Sequence, residues 1–234
     1  KRVSWQPLSL WDQTEGKWSL SELVGKKCYV GLDLSSTTDI TAAVYLFPPQ
    51  DGIPDWRFIH DAWIPEDNMK ERVKRDGVSY DRWVNAKYLT ATPGNVVDYD
   101  FVEARLLAAS KQYKIHAIGA DPWNSRMLTQ RLMKHGLEVV EIPQNFKHMS
   151  PAMKLIEQLM KRGRMTHEHN PLARWCWGNV NVVIDGNENI KPMKNKSADR
   201  IDLTVALIDA MATAMMFENV EVESVYERRG VIVI

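Results

Sequence analysis

Residues 27–46, KCYVGLDLSSTTDITAAVYL, decide the fold. The apolar run 28–32 predicts a strand buried on both faces, and this strand ends on the carboxylate of Asp33. Turn-forming residues follow, and a second apolar run, 40–46, predicts the returning strand of a hairpin. A buried carboxylate is costly unless it is paired or binds a metal. Asp33 therefore either starts the turn or belongs to a functional site, and the hairpin alone leaves both interpretations open.

The second half of the chain carries a matching strand. Residues 115–121, IHAIGAD, predict a buried strand that also ends on a carboxylate, Asp121. A predicted helix over 124–135 and a strand over 137–142 follow, and this β-α-β alternation is typical of parallel strands. A third strand is predicted over 56–63, and it extends the first hairpin. Together, these strands and helices predict an α/β fold. Its mixed sheet has antiparallel hairpins first, parallel strands after them, and flanking helices.

Composition limits the classes of function. The 234 residues are 44% hydrophobic, enough for one substantial core. Lys and Arg together number 30, as do Asp and Glu, so any nucleic-acid-binding surface must be local. The two cysteines, Cys28 and Cys176, are far apart, which predicts a reducing compartment and no disulfide framework. No apolar run reaches the roughly 18 residues that a membrane helix needs, so we expect no membrane partner.

The chain opens without an initiator methionine, which suggests a domain cut from a longer polypeptide. We predict an entry linker over 1–26 whose tryptophans pack on the following domain, one α/β domain over 27–217, and a C-terminal tail over 218–234.

Three helices of the main domain have predicted starts. Asp98 is expected to cap a helix over 100–113. Ser150 is expected to cap a helix with Pro151 at its first position. Ser197 is expected to cap the last helix, 198–217.

The last helix carries three acids, Asp199, Asp202 and Asp209, whose spacing puts them near one face. Asp199 fits the first turn, where the helix dipole favours acids. Asp202 is harder to explain structurally because its neighbours are apolar. Asp209 is predicted to be structural or to contact the ligands rather than to be a ligand.

Asp33, Asp121 and Asp202 can converge at one edge of the sheet. Ligands of open α/β sheets collect outside the carboxyl ends of the strands, and a helix packed on the sheet can bring Asp202 there. Converging carboxylates need a counter-charge. Their oxygens favour Mg²⁺ or Mn²⁺, and two such ions roughly 3.5–4 Å apart can activate water for phosphodiester hydrolysis.

Several longer motifs carry a resemblance to a known family. They are GLDLSSTTDITA, GADPWNSRMLTQRL, IPQNFKHMSPAMKLIE, RWCWGNVNV and NIKPMKNKSADRIDLTVALIDAM, with the closing SVYERRGVIVI. Over roughly residues 27–234, the chain resembles the nuclease domain of tailed-phage terminase large subunits. The resemblance implies a ribonuclease H-like fold and a metal-dependent endonuclease that cuts concatemeric phage DNA in the host cytoplasm during genome packaging.

The resemblance also implies roles for single residues. Asp33, Asp121 and Asp202 would be catalytic metal ligands for Mg²⁺ or Mn²⁺, with two ions expected. Asp39 fits the family pattern as a further ligand or as a contact of the ligands. Leu203 departs from it, because relatives often have glycine after the acid.

The resemblance implies partners as well. These are double-stranded DNA, an ATPase domain N-terminal to Lys1, the phage portal and the small terminase subunit. The phosphate-loop pattern of such an ATPase does not occur in this sequence.

DNA contacts require positive charge near the acids. We predict such contacts for Lys147 in a second basic region and, before or at the start of the last helix, for Lys191, Lys194, Lys196 and Arg200. For the second region a solvated surface is at least as good an explanation.

Three alternatives stay open from the sequence. Other ribonuclease H-like nucleases or resolvases share the chemistry, and a non-catalytic DNA-binding assembly module could retain the fold. The actin and sugar-kinase ATPases also begin with a hairpin after a strand that ends in Asp. They require a second glycine-rich phosphate hairpin that is not visible here.

Overall fold

A computed structural model describes residues 2–34, 40–67, 69–194 and 199–219. Its strands are β1 Arg2–Ser4, β2 Lys27–Asp33, β3 Thr41–Phe47, β4 Trp56–Pro65, β5 Thr90–Thr92, β6 Lys114–Ala120, β7 Val139–Glu141, β8 Met165–His167, β9 Val180–Ile184 and β10 Ile190–Lys194. Its α-helices are α1 Leu8–Gln13, α2 Met69–Asp76, α3 Tyr80–Asn85, α4 Tyr99–Gln112, α5 Pro122–Lys134, α6 Phe146–Lys161, α7 Pro171–Gly178 and α8 Asp202–Phe217, with a 3₁₀ turn at Leu20–Leu23.

The main sheet has the predicted mixed topology. Its strand order is β5-β4-β3-β2-β6-β7, and β8 also pairs with β4. β3 is antiparallel to both β2 and β4. β6 runs parallel to β2, β7 runs parallel to β6, and β5 and β8 both run parallel to β4. The antiparallel hairpins and the parallel strands thus form one sheet, as expected. A second, three-stranded sheet has the order β1-β9-β10.

The two faces of the main sheet bury separate cores. Alternate residues of β2 point to opposite faces, so Val30 and Leu32 join the core beneath α4 and α5. Tyr29 joins the other core, which α6, α7 and α8 cover. Nearly every residue of α8 from Asp202 to Ala214 is buried, because sheet and helices surround it. The mostly apolar composition of this helix reflects that position.

Two glycines let α8 approach the sheet closely. A Cβ atom at Gly31 would lie 1.9 Å from the carbonyl oxygen of Ala206, and one at Gly119 would lie 1.8 Å from Oγ1 of Thr213. Since Cβ atoms cannot approach other atoms so closely, both strands need glycine where α8 crosses them. These contacts fix the position of α8 over β2 and β6.

The N-terminal segment packs on the domain, as predicted for its tryptophans. β1 pairs with β9, and Trp5 and Trp11 are 7% and 2% exposed. The Trp5 ring lies 4.6 Å from that of Trp177 between centroids. The division of the chain at residues 26 and 217 stays a prediction.

The start of α4 was predicted correctly, and two other helix starts were wrong. Asp98 caps α4 by accepting a hydrogen bond from the backbone of Asp100. α6 begins at Phe146, because Asn145 accepts a hydrogen bond from the backbone of His148, and Pro151 lies inside the helix. Ser150 instead accepts a hydrogen bond from the backbone of Ile190.

The last helix begins later than predicted. α8 starts at Asp202, and Asp199 precedes it. The predicted cap, Ser197, lies outside the described residues. No helix in the described part of the chain is long and apolar enough to cross a membrane.

Candidate metal centre

Asp33 and Asp121 lie at the ends of neighbouring parallel strands. Leu32 on β2 is in register with Ala120 on β6, and the next residue of each strand is an aspartate. Asp33 and Asp121 each lie two residues beyond a glycine that contacts α8, Gly31 and Gly119. Because side chains along a strand alternate between the two faces of the sheet, both acids lie on the face that α8 covers. The expectation that these two strands are neighbours is confirmed. Their role as metal ligands stays a prediction.

The carboxyl group of Asp121 has an environment that resists ionisation. Burial raises its pKa, and the backbone N–H groups of Trp123 and Gln144 act in the opposite direction. Asp121 is also the residue before α5, whose first residue is Pro122. A carboxylate at this position can ionise when a cation offsets its desolvation.

Asp202 is the first residue of α8 and is only 6% exposed. Burial is the largest cause that raises the pKa of the Cys176 thiol. The negative charges of Asp202 and Asp33 raise this pKa further. Both acids therefore act on the same buried side chain of α7.

Asp209 lies two turns further along α8 and is completely buried. Its spacing from Asp202 and Thr213 places it on the stripe that faces the sheet, because Thr213 also contacts β6 at Gly119. Burial raises its pKa well above the ordinary value, and the charges of Asp33 and Asp121 raise it further. Among the described residues, neither of its carboxylate oxygens has a hydrogen bond of normal geometry. The Gln144 amide comes close enough to act in the opposite direction on the pKa.

These donors fit a hard divalent cation in chemistry and charge. Carboxylate oxygens are the preferred ligands of Mg²⁺ and Mn²⁺, and a cation would relieve the repulsion among Asp33, Asp121 and Asp209. Within the described ranges, no three His, Cys, Asp or Glu side chains are grouped closely enough to hold one ion directly. Asp39 lies outside the described residues.

The predicted DNA-binding residues have different environments. Lys191 lies on β10, with its Nζ 5.7 Å from the ring centroid of Phe146, the first residue of α6. Lys147 is exposed on the next residue of α6. These two lysines therefore lie beside the loop that carries Gln144, next to Asp121.

Lys194 ends β10, and Lys196 lies outside the described residues. Arg200 is 5% exposed and forms an ion pair of 3.3 Å with Asp76, an environment that does not favour a phosphate contact.

Two features of this region were not read from the sequence. Periodicity does not show which stripe of a wholly buried helix faces the sheet, and the predicted role of Asp209 as a structural residue or a contact of the ligands stays a prediction. Sequence analysis also gave no role to Trp123, which is 89% exposed two residues after Asp121. The sequence feature that could have drawn attention to this exposed side chain is a tryptophan directly after an Asp-Pro pair at a strand end.

The family model described as "Terminase large subunit, endonuclease domain" matches residues 2–218. The chain belongs to this family. Its mixed sheet and flanking helices are accordingly those of a ribonuclease H-like terminase nuclease domain.

Two curated relatives are similar in sequence. The terminase large subunit of Enterobacteria phage HK97 is 36% identical over 191 residues, which cover 81% of this chain and 38% of the relative. Protein YmfN of Escherichia coli K12 is 31% identical over 227 residues, which cover 93% of this chain and 50% of the relative. The chain thus spans half or less of these relatives' lengths.

Solved structures agree with the family assignment. The HK97 large terminase superposes with a TM-score of 0.82 at 32% identity, covering 92% of this chain and 44% of that one. The large terminase nuclease of thermophilic phage G20c with bound magnesium superposes with a TM-score of 0.57 at 13% identity, covering 90% and 97% of the two chains. The second likeness shows the fold alone.

Proposed function

We propose that this domain is a metal-dependent endodeoxyribonuclease that cuts concatemeric phage DNA during genome packaging. The observation that carries the proposal is the pair Asp33 and Asp121, side by side at the ends of parallel strands on the face covered by α8. Membership of the terminase endonuclease family makes DNA the expected substrate.

Asp33, Asp121 and Asp202 are proposed to hold two Mg²⁺ or Mn²⁺ ions, and Asp39 is proposed to assist. When bound, such ions activate a water molecule and stabilise the leaving oxygen of a phosphodiester. The phage G20c nuclease has been solved with bound magnesium, which supports a divalent cation here.

These carboxylates would hold the cations at the ends of the two strands. Because Asp121 directly precedes α5 and Asp33 ends β2, two rigid elements fix their positions. Asp202 begins a helix that the two glycine contacts hold in place. This arrangement supports a preorganised site.

Double-stranded DNA is proposed to contact the surface formed by β10 and the start of α6. Lys191 and Lys147 lie there beside the loop next to Asp121, and Lys194 ends β10. Lysine contacts to phosphates would position the duplex with little sequence preference. Lys196 and Arg200 also belong to the proposed surface. Lys196 lies outside the described residues, and Arg200 is buried and paired with Asp76.

The whole protein is proposed to contain an N-terminal ATPase domain. It would work with the phage portal and the small terminase subunit in the host cytoplasm. The partial coverage of the HK97 and YmfN relatives is consistent with further sequence outside this domain.

Cleavage of supercoiled plasmid tests the proposal. The chain is incubated with plasmid in Mn²⁺, in Mg²⁺ and in EDTA, beside Asp121→Ala. We expect nicked and linear products with a metal and none in EDTA or with the variant. Equal cleavage by Asp121→Ala would show that the site is misassigned. Cleavage in EDTA would show that the reaction does not need a metal.

A further inference from the structure

We propose that Asp209 is a fourth carboxylate of the metal centre, which helps to bind a divalent cation from the interior side of Asp33 and Asp121. This inference rests on the proposed function and adds a buried negative charge behind the ligands, which the family resemblance does not supply.

No cation of the described residues forms an ion pair or hydrogen bond with Asp209. Two other described acids do have arginine partners: Asp61 lies 2.9 Å from Arg105, and Asp76 lies 2.7 Å from Arg75. The charges that act on Asp209 are instead those of two further acids, Asp33 and Asp121. A buried carboxylate in such surroundings is costly unless another cation is supplied.

The position of Asp209 is the second argument. Its backbone oxygen lies 3.2 Å from the site of a Cβ atom on Gly119, so this turn of α8 is pressed against β6 two residues before Asp121. No side chain at Gly119 separates the helix from the strand there. Because helix side chains tilt toward the helix N-terminus, the Asp209 side chain is directed toward the Asp202 end of α8 and the strand ends, where the proposed cations would sit.

Access from the surface is the third argument. Gln144 is exposed, yet its side-chain amide approaches the carboxylate of Asp209. The carboxylate thus lies one side chain below the surface, at the loop next to Asp121. A cation held by Asp33 and Asp121 would offset the two negative charges that act on this carboxylate.

The alternative is a purely structural carboxylate that packs against Gln144. The two roles differ in what Asp209→Asn does. If Asp209 is only structural, the variant has a lower melting temperature in EDTA, and metal raises its melting temperature as much as that of the parent. If Asp209 helps to bind a cation, metal raises the melting temperature of the variant less than that of the parent.

The test follows thermal unfolding of the 234-residue chain, first in EDTA and then during Mn²⁺ titration. Asp209→Asn is compared with the parent and with Thr213→Val. The control removes a buried hydroxyl one turn away, which donates a 2.7 Å hydrogen bond to the backbone of Asp209, and leaves the carboxylate intact. If Asp209→Asn does not fold, Asp209→Met replaces it, because its apolar side chain suits the buried site.

We expect the Asp209 variant to bind Mn²⁺ about tenfold more weakly or worse, with a smaller rise in melting temperature, while Thr213→Val matches the parent. Equal Mn²⁺ affinity in the parent and the Asp209 variant would overturn this inference and leave the proposed function intact. No effect of Mn²⁺ on the parent would overturn both.

Discussion

The acids of the proposed metal centre differ in how the fold presents them. Asp33 and Asp121 lie at the ends of two strands, Asp202 begins a helix, and Asp209 is fully buried within that helix. Asp209 combines full burial with the charges of two neighbouring acids, which together raise its pKa well above the ordinary value. The nearby Asp199, which precedes α8, serves as the natural control.

Replacing Asp202 by Asn is expected to lower metal-dependent DNA cleavage by about 100-fold or more, because it removes a proposed ligand. The far-ultraviolet circular dichroism spectrum should stay that of the parent. Asp199→Asn should cut like the parent. Normal cleavage by Asp202→Asn would remove Asp202 from the proposed ligand set.

The position of α8 depends on glycine at its two crossing points. Gly31→Ala is expected to reduce the free energy of unfolding by about 3 kcal/mol, because the new Cβ would meet backbone atoms of Ala206 and Ala210 that cannot move aside. Urea unfolding measures the loss. Gly186→Ala is the control, since nothing lies within 4 Å of its Cβ position, and it should stay within about 0.5 kcal/mol of the parent. Equal stability of both variants would contradict the close contact.

Asp76 joins α2, α3 and the segment before α8. It accepts hydrogen bonds from Arg75 at 2.7 Å and Tyr80 at 3.0 Å, and it pairs with Arg200 at 3.3 Å. The hydrogen bond from Arg75 is the largest cause that lowers the pKa of Asp76, and burial opposes it. Asp76→Asn should therefore cost about 2–4 kcal/mol of unfolding free energy at pH 7.

The pH dependence of that cost has a definite sign. Since the folded pKa of Asp76 lies below the unfolded value of 3.8, its contribution is present above about pH 4 and is lost as the pH falls through the folded pKa. Urea unfolding at decreasing pH should show the parent and Asp76→Asn becoming more alike. A difference that stays constant down to pH 3 would contradict this account.

Much of the molecule could be predicted from its sequence, for identifiable reasons. The apolar runs before Asp33 and Asp121 gave both strands, and the β-α-β alternation gave their parallel pairing. The start of α6 was misplaced because Ser150-Pro151 has the local chemistry of a helix start, whereas Asn145 supplies the actual cap. The burial of Arg200 depends on Asp76, more than a hundred residues away, and no local pattern reveals such a pair.

The whole domain has a formal net charge of zero, so DNA binding must come from a local surface. Replacing Lys191 and Lys194 by Ala should weaken binding to duplex DNA whatever its sequence. The slope of log affinity against log salt concentration should become less steep by about 1 for each lysine removed. Fluorescence anisotropy at several salt concentrations measures both effects. Lys114→Ala is the control, because this exposed lysine lies at the opposite end of β6 from Asp121. An equal loss with Lys114→Ala would place the DNA elsewhere.

Calorimetric titration of Mn²⁺ into the DNA-free protein tests the proposed metal centre most directly. The parent is compared with Asp33→Asn and Asp121→Asn, which keep the shape of each side chain and remove its charge. We predict binding to the parent and a loss of about tenfold or more in affinity for each variant. Unchanged Mn²⁺ affinity in both variants would contradict a metal centre at the ends of β2 and β6.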